Sequence, residues 1–144
     1  MCRMAVFFGD ELARYGFGQS HQFNSNRLLA FWSKFNELEL QNSGQIEVEH
    51  PEIAHEETIY QFHDRTYIDF VRHASKLGSG YLDLGDTPAF LGAFEASSYV
   101  VGTSLRALNL VMDRLMEFNM HSILLGDYIM QEGAMQVVFA FLTI

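Results

Sequence analysis

Three observations predict a mixed α/β chain made mostly of helix. One short uninterrupted apolar run lies near the start, three later segments repeat apolar residues at helical spacing, and glycine or proline breaks separate them. The chain has 144 residues, 49% apolar and 19% charged, which excludes a disordered tail and suits one ordinary domain. A domain of that size buries roughly 70% of its unfolded surface.

Met4 to Phe8 reads as a buried strand that meets a turn at Gly9-Asp10. Tyr15-Gly16-Phe17-Gly18 is a glycine-punctuated loop. Asn24 or Ser25 can cap a helix carrying Leu28, Phe31, Trp32, Phe35 and Leu38 on one side. Gln41 to Glu57 is polar and acidic, contains Pro51, and reads as a solvated connection with a short strand at Ile46 to Val48. Asp64 can cap a second helix with Tyr67, Ile68 and Val71 on its apolar face, ending after Lys76 at Gly78-Ser79-Gly80. A loop through Gly85-Asp86-Thr87-Pro88 leads into a long helix from about Phe90 to Phe118. Ala93, Ala96, Ser97, Ser98 and Gly102 fit that helix for close packing.

Composition narrows the function. Nine basic against eighteen acidic residues give a net charge of −9, which disfavours nucleic acid because nothing neutralises phosphates in number. Cys2 is the single cysteine, so neither an internal disulfide nor a cysteine-based zinc site is possible. The opening apolar run is too short for a signal peptide, and the stretch near Val137 to Ile144 cannot span a bilayer. The expectation is a soluble cytoplasmic protein with no membrane partner; the oligomeric state is not specified.

Few residue clusters carry chemistry by themselves. His50, His55, His63 and His73 lack the spacing of a zinc site and read as solvated histidines. Ser20-His21 beside Asp10 and Glu11 is a pattern that chance produces often. Asp86 has two readings, a carboxylate bonding backbone N–H groups ahead of a helix or one presented to a ligand, and composition and spacing leave both open. Arg27 reads by default as a surface arginine whose stem covers apolar neighbours.

Three segments in order resemble the start of a zinc-dependent deacetylase of the histone deacetylase superfamily, nearest its acetoin-utilisation branch. They are Tyr15 to Leu28, Phe62 to Val71, and Tyr81 to Phe90 continuing through Glu95-Ala96-Ser97 to Gly102. Gln22 departs from the proline usual in the first segment. The resemblance implies the N-terminal portion of a three-layer α/β/α fold of the arginase/deacetylase type, and hydrolysis of an acetyl-amide on lysine or a small amine. It assigns Asp86 to a substrate rim, where a carboxylate accepts the substrate's backbone N–H bonds. It assigns Arg27 to a channel below the catalytic centre, with Tyr15 near the same wall. The family's zinc ligands, tandem histidines and catalytic tyrosine fall in none of these segments, so no catalytic or metal-binding residue is assigned in this chain.

The chain after Met112 does not continue the resemblance, but its neighbouring reading frame does. Joining the last base of each codon to the first two of the next forces alanine at Met120-His121, Met130-Gln131 and Met135-Gln136, and leucine at Asp127-Tyr128. The shifted reading can run His-Ala-Phe-His-Pro-Ala-Gly-Gly-Leu-His-His-Ala, then, four residues later, Ala-Ser-Gly-Phe-Cys-Ile-Phe-Asn-Asp. That resembles the family's tandem-histidine block, and every forced position falls where the family has it. The expectation is a one-nucleotide loss near Met112 to Met116. Residues 1–112 are then the N-terminal part of a deacetylase domain, and 113–144 a non-native tail.

A parallel sheet needs both faces covered, so a chain holding only its first strand is expected to expose Phe31, Trp32 and Phe35 and to be marginally stable. Val137 to Leu142 adds a β-prone, uncharged run. Two alternatives stand beside the inactive fragment: a non-catalytic helical interaction protein that keeps the loop around Asp86, and one half of a split deacetylase.

Overall fold

The computed structural model describes residues 4–17, 24–83, 85, 87–115, 122–125 and 128–130. Strand β1 (Met4–Phe7) is followed by the short helix α1 (Asp10–Ala13), then α2 (Asn26–Glu37), a tight 3₁₀ turn at Leu40–Ser43 and strand β2 (Ile46–Glu49). Helices α3 (Glu56–Tyr60), α4 (Arg65–Leu77) and α5 (Ala93–Leu115) come next, and strands β3 (Ser122–Leu125) and β4 (Tyr128–Met130) last.

The expected strand at the start forms, and it gains neighbours that periodicity alone did not pair with it. The sheet order is β2-β1-β3-β4. β1 runs parallel to β2, with Met4 opposite Ile46 and Phe7 opposite Glu49, and parallel to β3, with Met4 opposite Ser122 and Phe7 opposite Leu125. β4 turns back antiparallel on β3. The chain is therefore mostly helical around a small, largely parallel sheet, as the N-terminal part of an α/β fold should be.

β1 is central, and its pleat sends alternate side chains to opposite faces. Met4 and Val6 cluster with Phe31, Trp32, Phe35 and Ile46. Ala5 and Phe7 cluster with Leu12, Leu28, Val100 and Ala107. Phe8 stacks on Trp32 with ring centroids 4.0 Å apart, and Trp32 stacks on Phe35 at 5.0 Å. This corrects the expected exposure of the α2 aromatics: Phe35 is only 2% exposed, because β1 and β2 supply the surface it needs.

Helix ends follow the sequence closely. Ser25 is the N-cap of α2, while the side chain of the neighbouring Asn24 accepts the Asn26 N–H at 3.0 Å. Asp64 caps α4 with extended backbone but without a side-chain bond to the helix; its carbonyl accepts the Ile68 N–H at 3.1 Å. Gly78 closes α4 in the left-handed region. α5 begins at Ala93, three residues later than expected, and runs without a break past Met112 to Leu115.

The acidic connection is not simply solvated. Besides supplying β2, it lays the backbone of residues 52–54 across α5. Ala54 N–H donates to the Ser98 carbonyl at 2.9 Å, and Glu52 N–H donates to the hydroxyl of the fully buried Thr103 at 3.1 Å. Arg106 pairs with the Glu52 carboxylate at 3.4 Å. Gly102 permits the crossing: a Cβ there would lie 2.3 Å from the Glu52 carbonyl oxygen and 2.4 Å from the Ala54 nitrogen. The small residues of α5 thus admit an extended strap as well as neighbouring helices. Val137 to Leu142 lies outside the described residues.

Candidate functional site

The segment from Gly80 to Ala89 is a loop closed at its base by backbone. Leu82 N–H donates to the Thr87 carbonyl and Ala89 N–H to the Gly80 carbonyl, both at 2.8 Å. Tyr81 and Pro88 form an isolated antiparallel bridge. Leu82 and Ala89 are buried and anchor the loop on Val71 and Ala74 of α4, with Tyr67 and Phe94 packed alongside. The next connection ties α5 to α4. Ser75 Oγ accepts the Phe94 N–H at 3.0 Å and donates to Glu95 at 3.2 Å, and the Ser75 carbonyl accepts Gly92 N–H at 3.2 Å.

One carboxylate organises the loop's tip. Asp83 Oδ1 accepts the N–H groups of Gly85 and Thr87, each at 2.9 Å, and Asp83 Oδ2 accepts the Thr87 hydroxyl at 2.7 Å. Asp86 lies between these two clamped residues in sequence, but itself falls outside the described residues, as do Leu84, Ser20 and His21.

Beside the loop is an aromatic floor. Tyr15 meets Phe90 edge-on at 6.1 Å and Phe17 at 5.8 Å, and Phe17 meets Phe90 at 6.1 Å. Burial, with the nearby Tyr67 adding to it, pushes the Tyr15 hydroxyl up to about 12. Tyr67 is raised in the same direction, first by burial and then by the negative charge of Asp83. Both phenols therefore stay protonated across the physiological range and remain hydrogen-bond donors.

Tyr15 joins the cluster that contains Leu28. A Cβ on Gly16 would lie 3.2 Å from Asn24 Cα and Ser25 N, so the tyrosine loop packs on the start of α2. Arg27 is the second residue of that helix and is exposed. Tyr15 and the Arg27 segment are thus neighbours through backbone packing, and Tyr15 reaches the Gly80–Ala89 loop through Phe90 and Tyr67. Asp83, Tyr67 and Phe90 were not singled out as site residues by sequence reasoning. The Asp-x-Gly spacing of Asp83 and Gly85 is the signal that could have found the first, since an aspartate commonly bonds the backbone two residues on.

The remaining candidates carry less. His50, His55 and His73 are exposed, and His63 is half-buried between Phe62, at 4.9 Å, and Tyr67, at 5.4 Å. His63 also lines an apolar cleft with Ile59, Ile68, Val71, Phe94 and Val101. Among the described residues no group of three or more His, Cys, Asp or Glu could hold a metal ion. No helix among them is long and apolar enough to cross a membrane.

Residues 21–125 match the histone deacetylase domain. The acetoin utilization protein AcuC of Bacillus subtilis (strain 168) is 36% identical over 118 residues, covering 76% of this chain and 30% of that protein. The crystal structure of the HDA15 HD domain superposes with a TM-score of 0.64 at 17% identity, covering 79% of this chain and 33% of that one. The chain spans about a third of the length of these two relatives.

Proposed function

The chain belongs to the histone deacetylase family, in its acetoin-utilisation branch, and on that premise we propose that it is the N-terminal part of a deacetylase, inactive by itself. The parent reaction is zinc-dependent hydrolysis of an acetyl-amide on lysine or a small amine. The described residues of this chain do not fit a zinc ion, so no step is assigned to them through the metal. Their part is to bind and orient. Asp86 is the rim carboxylate that accepts backbone N–H bonds from an acylated substrate, each charge-assisted bond contributing about 1.5–3 kcal/mol. Tyr15 and Arg27 line the channel wall. The reading includes a cytoplasmic setting.

The observation that carries this reading is the run of forced codons after Met112: the neighbouring frame must encode alanine and leucine where the family's tandem-histidine block has them. Residues 113–144 are then an out-of-frame tail following a domain portion of 1–112. Sequencing the gene downstream of the Ile144 codon tests it, with a shifted Asp-x-His motif as the expected result. In a deacetylase assay with added Zn²⁺ the purified chain should show no turnover. Activity of the lone chain, or a stoichiometric bound Zn²⁺, would overturn the reading. Activity that appears only on mixing with the downstream product would instead identify half of a split enzyme.

A further inference from the structure

We propose that the cleft between α3, α4 and α5 binds a small neutral molecule, a branched aliphatic chain bearing one hydroxyl or carbonyl oxygen. None of its lining residues belongs to the Gly80–Ala89 loop, and neither Tyr15 nor Arg27 is among them. Ile59, Ile68, Val71, Phe94 and Val101 form the apolar walls. Polar capacity comes from α5 and from the residues before α4. Ser98 has spent its own, because its hydroxyl donates to the Phe94 carbonyl at 2.7 Å. Ser104 folds back on the Val100 carbonyl in the same way, at 2.8 Å. A helical serine commonly does so. Ser97 does not: its hydroxyl makes no hydrogen bond with the described residues. The His63 imidazole makes none either, its contacts being the rings of Phe62 and Tyr67. Two half-buried polar groups in an apolar cleft thus keep their hydrogen bonds open for a ligand.

Charge and size narrow the ligand. None of the lining residues is Asp, Glu, Lys or Arg. Arg72 lies over the Phe94 ring at 4.6 Å, but it is already paired with the Glu56 carboxylate. An ion entering the cleft would leave water without meeting a counter-ion, which is costly. The cleft encloses about 70 Å³. That is roughly half of the 150 Å³ cavity that holds benzene, so a chain of about four carbons fits and an aromatic ring does not. The apolar walls cover the chain, while Ser97 and His63 each offer a donor for the oxygen.

The test uses the full chain with isotopically labelled methyl groups, kept below the concentration at which it self-associates. Isobutanol is the probe, isobutyrate the charged arm and benzyl alcohol the oversized arm. Isobutanol should shift the methyl resonances of Ile59, Ile68, Val71 and Val101 along saturable curves with one common Kd, leaving those of Leu28 unmoved. Isobutyrate should bind about ten-fold more weakly or worse, and benzyl alcohol should give no saturable shift. Ser97→Ala and His63→Phe each remove a donor, and at least one should weaken isobutanol binding about five- to ten-fold. Val101→Phe fills the cleft and should abolish the response. Where that variant disturbs packing, Ser97→Ala decides, because it removes only a half-buried hydroxyl. Linear shifts spread over the whole chain are a solvent effect and overturn the site. Equal affinity for isobutyrate or benzyl alcohol overturns the ligand class. Affinity unchanged in both Ser97→Ala and His63→Phe overturns the role given to the two open polar groups.

Discussion

Tyr15 turns burial into a measurable pH dependence. Its hydroxyl ionises near 10 in an unfolded chain and near 12 in the folded one. Below pH 10 both states hold the proton and stability does not change. Between about pH 10 and 12 only the unfolded state releases it, so stability falls across that window, by on the order of 2 kcal/mol. Tyr67 contributes in the same direction. Thermal melts at stepped alkaline pH should show this fall, and Tyr15→Phe should flatten most of it. The aromatic stack on the sheet gives a second residue-scale expectation. Phe35, packed against Val6 and Trp32, should cost about 3–5 kcal/mol as Phe35→Ala, read from a urea midpoint. The exposed Leu38, the C-cap of the same helix, should cost less than about 0.5 kcal/mol as alanine.

At the scale of elements, the strap over α5 is the feature most sensitive to a single atom. Gly102→Ala would place a methyl group 2.3 Å from a backbone oxygen, and the obstruction is the main chain of residues 52–54. Either the strap lifts, losing the Ala54 and Glu52 bonds, or α5 moves away from it. A loss of about 2–3 kcal/mol is expected, with faster amide exchange confined first to Glu52 and Ala54. Thr103→Val keeps the shape and removes the hydroxyl, leaving the Glu52 N–H without that acceptor, and should cost about 1–2 kcal/mol. The helices α2, α4 and α5 were legible in the sequence, while the short α1 and α3 were not. Leu28 and Phe35 recur two turns apart, Ile68, Val71 and Ala74 form one face, and Gly78 stops α4 where its spacing says it should. Such signals are local, set by 3.6-residue periodicity and by caps.

For the whole molecule, the balance lies between a small core and a large apolar remainder. Val6 has no solvent exposure and Phe7 almost none, yet Leu91 is 76% exposed, Leu77 62% and Phe62 54%. Leu91 lies against Gly78, the residue after Leu77, so part of this surface is contiguous. The chain is expected to self-associate: sedimentation should shift with concentration in the micromolar range, and apolar dye binding should exceed that of a well-packed protein of equal size. A cooperative thermal transition with no concentration dependence would contradict this.

The strand at Met4–Phe7, helices α2, α4 and α5 with their caps, the family, and the loop between α4 and α5 could all be read from the order of amino acids. All of these are written in short-range spacing or in a contiguous motif. Long-range packing set the partners of β1, the burial of Phe35 with partial burial of Phe31 and Trp32, the crossing of residues 52–54 at Gly102, and the joining of Tyr15, Tyr67 and Asp83 around one loop. The cause is separation along the chain. A parallel strand pair needs a long crossover, and β1 meets partners about 40 and 120 residues away. No local pattern records which distant backbone will supply the missing hydrogen bonds, or which aromatic ring will close over a hydroxyl.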